Sequence, residues 1–97
     1  MPQAIRTGAA NDDLRQIARY IAVHENRPKT AFDIIDQMIS KCDLLAQNPL
    51  LGTAKPELGE GYRAFSHRRW VIIFRPIDNG IEVMRIVDGS RDYSRLF

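Results

Sequence analysis

The chain has 97 residues, a hydrophobic fraction of 44% and a formal net charge of +2, which suits one small domain, residues 1–97, around a single core. Its lone cysteine, Cys42, excludes an internal disulfide and any multi-cysteine zinc site. Its longest apolar run, Trp70 to Phe74, is far short of the ~20 residues a membrane span needs. The opening residues, Met1 to Asp13, lack the apolar region of a signal peptide, so a reducing, cytoplasmic location without membrane contact is expected. Charge is uneven along the chain. Residues 1–61 carry 7 basic and 8 acidic side chains, whereas residues 62–97 carry 7 basic and 4 acidic ones, and all seven of those basic residues are arginine. Arginine favours planar, bidentate recognition of carboxylates and phosphates, although arginines at the rim of a small sheet also serve solubility and edge protection.

In chain order, Gln3 to Thr7 reads as a short edge strand, and Thr7 suits the N-cap of a helix. Asp12 and Asp13 lie near that positive helix end. Leu14, Ile17, Ala18, Ile21 and Ala22 form one apolar stripe on a helix running to about Val23 or Glu25. Pro28 opens a second helix, with Ala31, Phe32, Ile35, Met38, Ile39, Cys42, Leu45 and Ala46 as its core stripe, ending before Pro49. The short connection makes an antiparallel helix hairpin. Asn48 to Glu60, with two prolines and two glycines, is a crossing loop. Strands then follow at Tyr62 to Ser66, Arg69 to Arg75 and Ile81 to Val87, joined by a turn at His67-Arg68 and by an Asn79-Gly80 hairpin turn. The expected class is α+β: an N-terminal strand, a helix hairpin, then a three-stranded antiparallel meander.

The last two strands are apolar on both faces. Trp70, Ile72 and Phe74 share one face, and Val71 and Ile73 the other; Ile81, Val83 and Val87 lie opposite Met84 and Ile86. One helix pair covers one face. The other needs the tail (Tyr93, Leu96, Phe97), sheet curvature or another polypeptide. An apolar groove filled by a partner chain is therefore expected, with Trp70, Ile72, Phe74 and Val83 as its lining.

The order of these pieces resembles the ParE toxins of the RelE/ParE superfamily of bacterial type II toxin–antitoxin systems. The resemblance runs through Asp13-Leu14 and Ile17 to Ala22, Leu45 to Pro49 with Gly52, Glu57-Leu58 and Gly61 to Phe65. It continues through Val71 to Arg75, Gly80 to Val83, Arg85-Ile86, Gly89 to Asp92 and Leu96-Phe97. Many relatives carry a histidine where this chain has Asp88. The resemblance implies a ParD-like antitoxin as partner, with the operator-binding domain on the antitoxin, so this chain alone has no sequence-specific DNA binding. It also implies one of two activities. ParE-like toxins poison DNA gyrase by binding; RelE-like toxins cleave mRNA on the ribosome. An inactive or retargeted member is a third class.

RNA cleavage by 2′-hydroxyl attack needs a base, an acid and cations on the phosphate. The chain ends in Phe97, which has no ionisable group, and Asp88 replaces the histidine. The phenol of Tyr93 is a weak acid without activation, and His24 and His67 sit at a helix end and in a turn. Binding to gyrase is therefore the expected activity, with no catalytic residue, metal or cofactor. Arg63, Arg85, Arg91, Tyr93, Leu96 and Phe97 are the candidate target-binding residues. Arg91 and Asp92 are expected to form a local ion pair, and Arg85 can pair across the sheet.

Overall fold

A computed structural model describes residues 1–97. The first strand, β1 (Gln3–Arg6), leads directly into helix α1 (Gly8–Arg19). Thr7 is the N-cap: its hydroxyl oxygen accepts from the Ala10 N–H at 3.1 Å and satisfies one of the free donors of the first turn. The last turn of this helix widens into a π-helical segment, Tyr20–His24. Helix α2 (Pro28–Gln47) begins with Pro28 in its first turn and stops before Pro49, as expected.

The stripe on α2 is rotated from the expected one. At about 100° per residue, Phe32 lies roughly 100° from an axis through Ala31, Met38 and Cys42, and Ile34 lies only about 60° from it. Accordingly Ile34 is buried and Phe32 is 78% exposed, which removes Phe32 from the core. Cys42 is fully buried between helix and sheet, and burial pushes its thiol up to about 11. It should therefore react with a thiol-specific chromogenic disulfide only after unfolding; rapid labelling of the native protein would show that the helix–sheet layer opens readily.

The crossing loop contains a 3₁₀ turn, Pro49–Leu51, and a two-residue edge strand, β2 (Thr53–Ala54), which sequence patterning had assigned to loop. Strands β3 (Arg63–His67), β4 (Trp70–Ile77) and β5 (Gly80–Asp88) form the expected antiparallel meander. His67 belongs to β3, and the turn that follows it is Arg68-Arg69, with Arg68 at φ 55°. Asn79 (φ 60°) and Gly80 (φ 144°) supply the positive φ angles of the second hairpin. The whole sheet has five strands in the order β1-β5-β4-β3-β2, because β1 pairs parallel to β5 and β2 pairs antiparallel to β3. Gly80 is fixed by this arrangement: a Cβ there would lie 1.9 Å from the Gln3 carbonyl oxygen on β1.

A β-bulge in β5 changes which side chains share a face. Phe74 pairs with Val83 but Ile73 pairs with Arg85, so Met84 is the extra residue. The inserted residue reverses the alternation beyond it. Ile81, Val83 and Ile86 therefore all face the helices, and Met84 and Val87 face away, which corrects the expected placement of both Ile86 and Val87. Under the helices, the core joins Ala10, Leu14, Ile21, Met38, Cys42 and Leu45 to Trp70, Ile72, Phe74 and Val83. The opposite face carries a smaller cluster of Ala64, Val71, Ile73 and Val87, closed by Leu58 of the crossing loop and by Tyr62 and Tyr93.

The expected partner groove is thus absent where it was placed. Ile72, Phe74 and Val83 are fully buried and Trp70 nearly so, because the chain's own helix pair lies over them. The second face is covered by the loop and by Tyr93, one of the alternatives that patterning left open.

Candidate functional site: the tail and the cleft beside it

After β5 the chain turns at Gly89-Ser90 and ends in a 3₁₀ turn, Tyr93–Leu96. Between this tail, α1 and the end of β5 lies an open cleft of about 630 Å³. Ile17, Tyr20, Trp70 and Leu96 supply its apolar surface, and Arg69, Arg85, Arg91, Asp13, Asp88 and Asp92 are its charged lining.

The floor of the cleft is held by Asp13, a residue sequence analysis had read only as a favourable charge near a helix end. Strand β1 pairs with β5 only from Gly80 to Val83, so β5 would expose unpaired backbone beyond that point. Side chains from the N-cap and the second turn of α1 close this gap. The Thr7 hydroxyl donates to the Met84 carbonyl oxygen at 2.8 Å, and Asp13 Oδ2 accepts from the Ile86 N–H at 2.9 Å. Arg85 then clamps the same carboxylate from the solvent side, donating from Nε to Oδ2 at 2.7 Å and from Nη2 to Oδ1 at 2.9 Å. The hydrogen bonds to Asp13 raise the pKa of Arg85 above its already high value. Asp13 is 7% exposed, yet no buried side-chain polar atom in the chain lacks a partner. Arg85 is therefore paired with Asp13 of α1 and not with an acidic neighbour across the sheet.

At the rim, Asp88 ends β5. Its Oδ1 accepts from both the N–H and the hydroxyl of Ser90, at 2.9 and 2.7 Å, and its Oδ2 accepts from Arg69 Nη2 at 3.0 Å. These bonds, led by those from Ser90, hold the carboxyl down at about 2. The folded value lies below the ordinary 3.8, so the contribution of this group to stability is complete above about pH 4 and is lost as pH falls through about 2. A carbon-detected NMR titration should find the Asp88 midpoint well below that of the exposed carboxyls; an ordinary midpoint would mean the Ser90 and Arg69 bonds are not formed in solution.

The candidate target-binding residues divide. Arg63 stands at the start of β3, two strands from β5 and on the same face as its ladder partner Phe74, where Nε donates to the Pro49 carbonyl at 3.1 Å and Nη2 donates to that of Gly52. It latches the 3₁₀ turn of the crossing loop onto β3, while Gly52 passes so close to the Phe74 ring that a Cβ would sit 2.5 Å from it. Arg85 is clamped as described. Arg91, Tyr93 and Leu96 meet at the cleft, and Phe97 packs edge-on against Tyr62 with ring centroids 5.2 Å apart. Tyr93 is half-buried against the second-face cluster, whereas Leu96 and Phe97 remain 45% and 42% exposed. The expected Arg91–Asp92 ion pair does not form: Asp92 faces Arg95 at 3.6 Å and accepts from the Ser94 hydroxyl. Arg91 consequently has no carboxylate partner. Of the expected groove residues, Trp70 alone reaches this cleft, by the small exposed part of its ring. Arg69 was missed as a site residue: it lies in the turn before β4, and its pairing with Asp88, 19 residues away, leaves no local signal.

No helix is long and apolar enough to cross a membrane, and no group of histidine, cysteine, aspartate and glutamate side chains has the arrangement to hold a metal ion. The fold is similar to that of a solved structure described as the chromosomal ParDE TA system from P. aeruginosa, with a TM-score of 0.72 at 22% identity over 91% of this chain and 96% of that one. A curated relative, Toxin ParE3 of Caulobacter vibrioides, is 29% identical over 89 residues, which is 92% of this chain and 88% of the relative. The family model for the ParE toxin of the type II toxin–antitoxin system parDE matches residues 5–93, nearly the whole chain, and ends at the first residue of the tail's 3₁₀ turn. The chain belongs to the ParE toxin family of type II toxin–antitoxin systems.

Proposed function

We propose that this toxin inhibits DNA gyrase by binding it through the C-terminal tail, and that a ParD-like antitoxin neutralises it by covering the same cleft. The observation that carries the reading is the state of the charged groups. Arg85 is clamped by Asp13, and Asp88 is held ionised by Ser90 and Arg69, so these groups act as fixed charges. Proton transfer in RNA cleavage instead favours groups whose pKa lies near the working pH. The histidines make no hydrogen bond to this set: His24 stacks on Tyr20, and His67 contacts Gln37 of α2 and has its pKa lowered by burial and by Lys41 and Arg68. What the tail offers a partner is one unpaired guanidinium, Arg91, in the same cleft as Leu96, with the partly exposed ring of Phe97 at the end of the tail. An apolar anchor next to an arginine is the composition of a protein-binding hot spot.

The antitoxin reading rests on family membership and on the cleft, whose apolar Ile17, Tyr20 and Leu96 suit the apolar side chains of a bound segment. Purified toxin should inhibit gyrase supercoiling, and prior mixing with the antitoxin encoded beside it should restore supercoiling. Inhibition that persists with the antitoxin bound would separate the antitoxin surface from the gyrase surface and refute the shared cleft.

A further inference from the structure

We propose that Asp88 and Arg69 are positioning residues that set the direction in which the C-terminal tail leaves the sheet. The proposal rests on the reading that this tail contacts the target. Asp88 is the last residue of β5, paired in the ladder with Trp70. The chain must turn sharply there, and one carboxylate directs the turn with both of its oxygens. Oδ1 takes the two Ser90 donors and forms an Asx-type turn. Oδ2 takes Arg69, whose guanidinium carbon lies 5.4 Å from the Trp70 ring centroid and 5.8 Å from that of Tyr20. The tail's departure is thereby tied to a core tryptophan on β4 and to the π-helical turn that ends α1.

The backbone adds to the same turn. Gly89 N–H donates to the Arg69 carbonyl at 2.8 Å, and Arg91 N–H donates to that of Asp88 at 3.2 Å. Beyond it, Tyr93 seats on the second face and Phe97 meets Tyr62. Arg69 is half exposed in its ion pair, and exposed pairs contribute little to global stability. Their convergence on one carboxylate is better matched to fixing a direction than to holding the fold.

The test uses the full chain with Asp88→Ala, Asp88→Asn and Arg69→Gln. The contact between the Tyr62 and Phe97 rings is read by NMR, tail release by trypsin cleavage after Arg91, and function by gyrase supercoiling. In Asp88→Ala and Arg69→Gln the ring contact should be lost and cleavage should rise about tenfold or more, with thermal unfolding shifted by only a few degrees. Asp88→Asn keeps an acceptor for Ser90 and should lie between these and the parent. Arg69→Gln serves alone should Asp88→Ala not fold, because it leaves the Asx turn in place. An unchanged ring contact and cleavage rate in Arg69→Gln would overturn the proposal. So would weakened gyrase inhibition with the tail still packed, which would make the residue a direct target contact. Released tails together with a parent protein that leaves gyrase untouched would support the positioning role and refute the gyrase reading.

Discussion

Asp13→Ala should lower the unfolding free energy by about 3 kcal/mol, the lower end of the cost of breaking a buried ion pair. Two consequences combine. Arg85 loses both of its acceptors, although its side chain, 28% exposed, can turn toward water. The Ile86 N–H has no such escape, because it lies under α1 at the point where β1 has ended. For a domain of this size the loss corresponds to a fall in melting temperature of roughly 12–24 °C. Asp13→Asn keeps an acceptor for Ile86 and should be clearly milder. Thermal unfolding by circular dichroism distinguishes the two. Equal, small effects of both would mean that water replaces the carboxylate and that the edge of β5 needs no cap.

Removing the last four residues, by truncation after Tyr93, should reduce gyrase inhibition by about a hundredfold or more, the effect of losing a hot-spot cluster worth ~3 kcal/mol. The cut is placed by the structure. Tyr93 closes the second-face cluster over Val71 and Val87, so a cut after Asp92 would expose that core and confuse lost function with lost stability. A cut after Tyr93 removes Leu96 and Phe97, both partly exposed, and leaves Tyr62 as the main newly uncovered ring. Arg91→Ala should weaken inhibition by a smaller factor without altering the melting temperature, since Arg91 makes no side-chain hydrogen bond or ion pair within the chain. A truncated protein that inhibits as well as the parent would remove the tail from the target surface.

The two helices, the three-stranded meander and the second hairpin turn could be read from periodicity, from the Thr7 cap, and from Pro28, Pro49 and Asn79-Gly80, whereas the first turn falls one residue later than expected, at Arg68-Arg69. The missed features share a physical cause: each depends on contacts distant in sequence. Asp13 and Arg85 are 72 residues apart, and no local pattern marks them as a pair. The Met84 bulge has no glycine or proline to announce it, yet it turns Ile86 inward and Val87 outward. The parallel pairing of β1 with β5 follows from how α1 crosses the sheet, which four residues of strand cannot specify. The partner groove failed for a related reason. Patterning found the doubly apolar strands but could not tell that the helices cover Ile72, Phe74 and Val83 while Leu58 and Tyr93 close the other side. Within the candidate site, the tail residues were legible as exposed arginine and aromatic character, but the Arg63 latch and the Asp88–Arg69 anchor were not. An arginine bound to carbonyl oxygens and one free for a partner look alike in a sequence.

The most direct measurement of the central claim is the state of DNA in a gyrase reaction with purified toxin. Toxin, gyrase, supercoiled plasmid and ATP are incubated, the reaction is stopped with denaturant and protease, and the plasmid is resolved on a gel. The same toxin is added in parallel to translating ribosomes and the mRNA is examined for cuts. Binding through the tail predicts linear plasmid accumulating with toxin concentration, none with the protein truncated after Tyr93, and intact mRNA. Undisturbed supercoiling together with cleaved mRNA would contradict it.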